Sequence, residues 1–144
     1  MSTIEQPVEV DGDKLMQFVF RAVDEVGATL NAALVVMGDR LGLYRALAGS
    51  GGLSPAELAE HTGTAERYVR EWLNAQAAGG FVEYDPDSGR YSLAPEQTVA
   101  LTDPDSPAYL PGFFQIAVGS VLDSPKIVEK ARSGDGFHYA RKRD

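Results

Sequence analysis

Residues 53–94 read LSPAELAEHTGTAERYVREWLNAQAAGGFVEYDPDSGRYSLA. Ser54 is a good helix N-cap, Pro55 suits the first helical position, and Glu57 completes an S-x-x-E capping box. The helix they start runs over Ala56, Leu58 and Ala59 and stops near Gly63, where the chain turns with positive φ. Thr64 is set to cap a second helix, in which Tyr68, Val69, Trp72, Leu73 and Gln76 recur at helical spacing; all but Gln76 suit a core-facing stripe. Gly79-Gly80 ends it. Phe81–Tyr84 alternates like a strand, Asp85-Pro-Asp-Ser-Gly89 is turn chemistry, and Arg90–Leu93 returns as the partner strand. Helix, tight turn, helix and hairpin in this order make a winged helix-turn-helix. The expected fold is therefore mostly α, with a small β-hairpin wing and flanking N- and C-terminal helices.

At 144 residues the chain has the length of one compact domain, and 44% hydrophobic residues suffice for a core. There is no cysteine, hence no disulfide framework and no thiolate metal site. The two histidines, His61 and His138, are too few and too scattered for a zinc or iron site; His61 fits the end of its helix as a surface residue. The formal net charge of −8 argues against a general polyanion binder. The N-terminus, MSTIEQPVEVDGD, is polar and acidic rather than a signal peptide. No clean apolar run of ~20 residues marks a membrane span. These features point to a cytoplasmic protein with no membrane partner.

The organisation expected outside the opening stretch is a disordered segment over 1–12, the winged-helix domain with its flanking helices over 13–132, and a tail over 133–144. Asp13 is placed to cap a helix beginning at Lys14 and running, with Gly27 as a weak point, to about Met37. Leu15, Phe18, Val19, Ala22, Val26, Ala33 and Met37 fall on one face, and Met16, Phe20, Val23, Leu30 and Leu34 on the adjacent one. That arc covers about half the circumference, wider than the ~100° stripe of a surface helix. Such a helix needs a second partner besides its own domain, and Phe18, Phe20, Val23, Leu30 and Leu34 are the candidates for a dimer interface. Gly38-Asp-Arg40 reads as a break before a short helix over 41–47, and Ala48–Gly52 as a flexible loop. Pro95–Leu101 is a turn or two of helix. An apolar helix follows over Tyr109–Leu122, its start blurred by Pro111-Gly112. Ser124 is placed to cap a last helix over Pro125–Ala131.

The chemistry is sparse. In a DNA-binding reading the second helix of the motif is the reader, with Arg67 and Arg70 offset by Glu66 and Glu71, and Arg90 on the wing. Residues 53–94 hold three basic residues against seven acidic ones, a net of −4, and the wing tip carries Asp85 and Asp87. Phosphate contact supplies most non-specific affinity, and an acidic face opposes it. Nucleic acid is thus a disfavoured partner. No Ser/His/Asp or Cys/His set, H-E-x-x-H or P-loop occurs. Neither Gly49-Ser-Gly-Gly52 nor Gly134-Asp-Gly136 follows a strand and opens a helix, so neither is a phosphate loop. No catalytic, metal-binding or cofactor-binding residue is assigned. Tyr109, Phe113 and Phe114, beside the Pro-Gly break, are candidates for one wall of a pocket for a small apolar or aromatic molecule, although aromatics on a helix usually pack a core.

Met37–Leu47 (MGDRLGLYRAL), Leu53–Gly63 (LSPAELAEHTG), Ala65–Leu73 (AERYVREWL) and the wing ending Tyr91-Ser-Leu-Ala-Pro95 together resemble the N-terminal winged-helix domain of bacterial class I S-adenosylmethionine-dependent methyltransferases, among them members often labelled transcriptional regulators. The resemblance spans roughly residues 13–136. It implies a domain that mediates dimerisation and covers a substrate pocket, ahead of a catalytic domain whose D-x-G-x-G loop holds S-adenosylmethionine. That loop does not occur before Asp144, so the resemblance carries no cofactor-binding or catalytic residue onto this chain. The expectation is a non-catalytic dimerisation and substrate-covering module separated from its catalytic domain, whether as a fragment, a truncated product or a free-standing relative. A free-standing winged-helix DNA-binding transcriptional regulator is the alternative, and a small-molecule-binding protein using the aromatic cluster a third.

Overall fold

The computed structural model describes residues 9–136. Expectations for residues 1–8 and 137–144, including His138, lie outside the described residues. The elements run α1 (Gly12–Arg40), α2 (Leu43–Leu47), α3 (Pro55–Thr62), α4 (Glu66–Ala78), β1 (Glu83–Asp85), β2 (Arg90–Ser92), α5 (Pro95–Thr102), α6 (Pro111–Leu122) and α7 (Ser124–Ser133). The winged helix-turn-helix is as the opening stretch predicts. The capping box at Ser54 and Glu57 is present in full, and Gly63 takes φ 64° between α3 and α4. The wing pairs Glu83 with Ser92 and Asp85 with Arg90 in antiparallel register. Leu53 adds a bridge on the other side of β2, exchanging backbone hydrogen bonds with Tyr91.

One core joins these elements. Leu43, Tyr44 and Leu47 of α2, Leu58 of α3, and Val69, Trp72 and Leu73 of α4 are buried together with Val35 of α1, Val82 and Leu101. Trp72 stands edge-on to Tyr44 with ring centroids 5.0 Å apart, and its Nε1–H donates to the Leu34 carbonyl at 2.9 Å. This tryptophan closes α4 against α1. Gln76 is wholly buried: its Oε1 accepts from the Tyr44 hydroxyl and its Nε2 donates to Asn31 Oδ1 at 2.8 Å. Burying an amide is tolerable because each end finds a partner. Burial pushes the Tyr44 phenol well above its ordinary range, with Asp39 adding to the effect, so it stays a neutral donor.

Several local expectations are corrected. Asp11, not Asp13, caps α1: its extended backbone lets its carboxylate accept from the Asp13 and Lys14 amides. Gly38 does not break α1. It lies inside the helix because a Cβ there would come within 2.4 Å of Trp72 Cζ2 and 2.7 Å of Tyr44 Cε2. The break falls instead at Leu41-Gly42, where Gly42 takes φ 71° and α2 starts at Leu43. Ala65 rather than Thr64 holds the cap position of α4, while the Thr64 hydroxyl pairs with that of Thr62 at 2.8 Å. Tyr68 is 73% exposed and leaves the core stripe, whereas Gln76 joins it. Strand β1 begins two residues later than the alternation suggests, because Phe81 and Val82 turn toward the core. Helix α6 starts at Pro111 and not at Tyr109. Asp123 occupies the position before α7 in place of Ser124 and takes the Lys126 ammonium at 2.6 Å.

Candidate functional site

The outer face of α4 presents Glu66, Arg67, Tyr68, Arg70, Glu71 and Asn74, all exposed. Arg70 is engaged with Glu66 one turn away, and Asn74 accepts from the Tyr91 hydroxyl at 2.7 Å. Arg90 is committed elsewhere: its two terminal nitrogens bind the two Glu57 carboxylate oxygens at 2.8 Å each, and one of them also donates to the Gly52 carbonyl at 2.8 Å. Of the three arginines named for DNA, Arg67 alone makes no ion pair among the described residues. At the wing tip Asp85 accepts from the Ser88 hydroxyl and the Asp87 amide, which in that order hold its carboxyl below the usual range. A carboxylate fixed in its charged form faces whatever approaches the wing.

The Glu57–Arg90 pair ties the wing to α3 and makes a pH prediction. The Ser54 amide, then the Arg90 hydrogen bonds, lower the Glu57 pKa from an ordinary 4.5 to about 2. A depressed carboxylate contributes stability that is present above its unfolded pKa and lost as pH falls through the folded one. Thermal melts of the wild type and Glu57→Gln should therefore differ above pH 4.5 and converge as pH drops toward 2. Equal spacing of the two curves across that range would show that the carboxylate does not stabilise the wing.

The second surface is apolar. Residues 12–30 of α1 extend past the core, and every one of them is exposed. Phe18 is 69%, Phe20 63%, Val23 60% and Leu30 66% exposed; Leu34, the fifth of the interface set, is half-buried against the core instead. Helix α6 lies on α1, and Gln115 Nε2 donates to Asp39 Oδ2 at 3.2 Å near the start of α6. Asp39 also holds Arg45, whose guanidinium binds its side chain at 3.3 Å and its carbonyl at 2.8 Å. Between α1 and α6 runs a groove of about 490 Å³, walled by Ala28, Leu30, Ala33, Phe114, Val118 and Leu122. Its polar lining is Glu25 and Thr29, and the Thr29 hydroxyl is spent on the Glu25 carbonyl at 2.9 Å.

The three aromatic pocket candidates are not brought together. Phe114 faces the body, edge-on to Phe81 at 5.9 Å, and lines the groove. Phe113 points out to solvent at 68% exposure. Tyr109 sits beside Asp39 and Arg45; partial burial raises its phenol, Asp39 adds to this and Arg45 opposes it. Of the groove residues, the sequence places Glu25, with Asp24, on the polar, solvated side of the first helix and singles out none of Ala28, Thr29 and Ala32. Their 3- and 4-residue spacing is the signal that marks one helix stripe.

The sheet is a two-stranded antiparallel hairpin, and no strand there feeds a glycine loop into a helix. Among the described residues no cluster of three His, Cys, Asp or Glu side chains is placed to hold a metal ion, and no helix is long and apolar enough to cross a membrane.

Residues 29–103 match the family described as the Rv2258c-like winged HTH domain. No curated protein matches the chain in sequence. Among solved structures it is similar to PigF with SAH at a TM-score of 0.66 and 16% identity, covering 94% of this chain and 38% of that one. A further likeness, to the SAH-bound form of CalO1, a methyltransferase in calicheamicin biosynthesis, has a TM-score of 0.47 and 20% identity over 90% of this chain and 50% of that one. The chain thus spans well under half the length of PigF.

Proposed function

The chain belongs to the Rv2258c-like winged HTH domain family, and from that premise we propose that it is a non-catalytic dimerisation and substrate-covering module of an S-adenosylmethionine-dependent methyltransferase. The sequence resemblance to the N-terminal domain of such enzymes supports this reading. The likeness to PigF, solved with SAH, agrees with it at the level of fold.

One observation carries the dimerisation half: residues 12–30 of α1 expose Leu15, Phe18, Phe20, Val23, Val26 and Leu30 with nothing of the chain's own described residues over them. In proteins most helical stability comes from burying an apolar face rather than from propensity. The apolar arc on the projecting half is too broad to be left wet. A second copy covers it with the same residues, as an isologous interface does. The substrate-covering half rests on α6, apolar nearly all round, with Phe113 and Ile116 turned outward. A helix of that composition is one a neighbouring domain covers.

The test is light scattering coupled to size exclusion over a range of concentrations. The expected mass is twice the 15.5 kDa of one chain. A single-chain mass at all concentrations would remove the dimer reading. The regulator reading makes the opposite demand. It requires salt-sensitive duplex binding, whereas a dimerisation module with Arg70 and Arg90 already paired and an acidic wing should give no shift at low salt.

A further inference from the structure

The groove between α1 and α6 presents apolar walls and hydrogen-bond acceptors, with no free donor among its side chains. Its volume of about 490 Å³ lies in the range of small-molecule sites. Leu30 of α1 and Val118 of α6 wall it, and the Phe114 ring, held edge-on to Phe81, is a fixed part of the lining. Its polar side chains are Glu25 and Thr29. Thr29 Oγ1 already donates its proton to the Glu25 carbonyl, so that hydroxyl can now only accept. The Glu25 carboxylate also only accepts, and among the described residues it makes no ion pair. Arg21, one turn earlier on α1, does not line the groove. At 100° per residue, Phe20 and Val23 lie roughly 140° and 160° round α1 from Glu25, so the groove opens away from that pair.

We propose that this groove is a binding site for a lipophilic amine, an apolar body ending in a protonated nitrogen. The walls run along α1 from Glu25 to Ala33, about 12 Å at 1.5 Å per residue, with the carboxylate at one end. The apolar body lies between Leu30 and Val118 and reaches toward Phe114. The ammonium N–H groups meet the Glu25 carboxylate and the Thr29 hydroxyl oxygen, which supply acceptors and nothing else. A hydrogen bond between two charged groups is about twice as strong as a neutral one. A carboxylate of the same shape brings a further acceptor to a rim without a donor, and a polar group left unpaired on burial costs affinity. An alcohol donates one bond but brings no charge to Glu25. The order of preference is therefore amine, alcohol, carboxylate. The net charge of −8 on the chain favours a cationic ligand from a distance as well. One chain supplies every wall of this groove, so the site does not depend on the association of two copies.

Decylamine, decanol and decanoate share one apolar chain and differ in the head group, and the amine is protonated near neutral pH as a lysine is. Isothermal titration of the full chain with each, below its micelle concentration, should find decylamine bound on the order of tenfold more tightly than decanol, with decanoate weakest. Glu25→Gln should bring decylamine down to the affinity of decanol and leave decanol unchanged. Ala28→Trp starts from an exposed position and puts an indole into the groove, so it should remove the binding of all three while the helical circular dichroism stays the same. Decanoate bound as tightly as decylamine, or an amine preference that survives Glu25→Gln, overturns the head-group assignment. Binding that persists in Ala28→Trp, or a wild type that takes up none of the three, overturns the site. The mass of the particle in solution is a separate measurement, and the dimer reading stands or falls on that alone.

Discussion

Gly38→Ala is expected to destabilise the fold by about 3 kcal/mol, the upper end of what overpacking a filled core costs. The alanine Cβ would sit 2.4 Å from Trp72 Cζ2 and 2.7 Å from Tyr44 Cε2. Neither ring can step aside. Trp72 is anchored by its hydrogen bond to the Leu34 carbonyl, and Tyr44 by its hydroxyl on Gln76. Both are about 1% exposed, so there is no free volume behind them. The strain has to be relieved by moving α1 away from α4, which opens the contact that joins the long helix to the winged helix. Urea melts give the number. Gly27→Ala is the matched control: nothing lies within 4 Å of its added Cβ, and alanine should stabilise that helix by roughly 0.5–1 kcal/mol. If Gly38→Ala melts like the wild type, the close approach of α1 and α4 is wrong. Adding Trp72→Phe, which removes the nearest atom, should recover part of the loss.

Gly38 also shows where the sequence was misleading and why. A glycine in a helical pattern carries two meanings, a break or a close approach, and only the identity of the residue across the gap separates them. That residue is Trp72, 34 positions away and on another helix. Gln76 was misread for the same reason. Its polarity suggests solvent, and its burial depends on Tyr44 and Asn31 arriving from two other elements. By contrast Ser54, Pro55, Glu57 and Gly63 announce α3 from within a span of ten residues, because capping is local hydrogen bonding and needs nothing from the rest of the fold. The candidate site divides along the same line. The exposed arc of α1 was legible as a surplus of apolar residues beyond what one partner needs. The groove was not, because it exists only once α6 has folded back on α1. Phe113 and Phe114 could have been separated in advance: adjacent residues on a helix point about 100° apart and do not share a wall.

Phe18→Glu is expected to abolish the dimer at micromolar concentrations while leaving each subunit folded. Phe18 is 69% exposed in the single chain, so its replacement removes no contact the fold depends on. Glutamate is also a good helix former, and the helical circular dichroism of the subunit should be unchanged or slightly higher. In the dimer the same side chain is buried twice. Burying a phenylalanine contributes ~1.5–3 kcal/mol, and the two-fold doubles it, so losing both weakens the dissociation constant by roughly a hundredfold to ten-thousandfold. Light scattering at several concentrations measures the shift. Tyr68→Glu is the comparison: Tyr68 is as exposed as Phe18 but lies on α4, outside the projecting half of α1 and the α1–α6 groove, and its loss should leave the mass at that of the dimer. If both variants stay dimeric, the association runs through another surface. If both become monomeric, the effect is one of added charge on a chain already at −8, and the projecting half of α1 is not its cause.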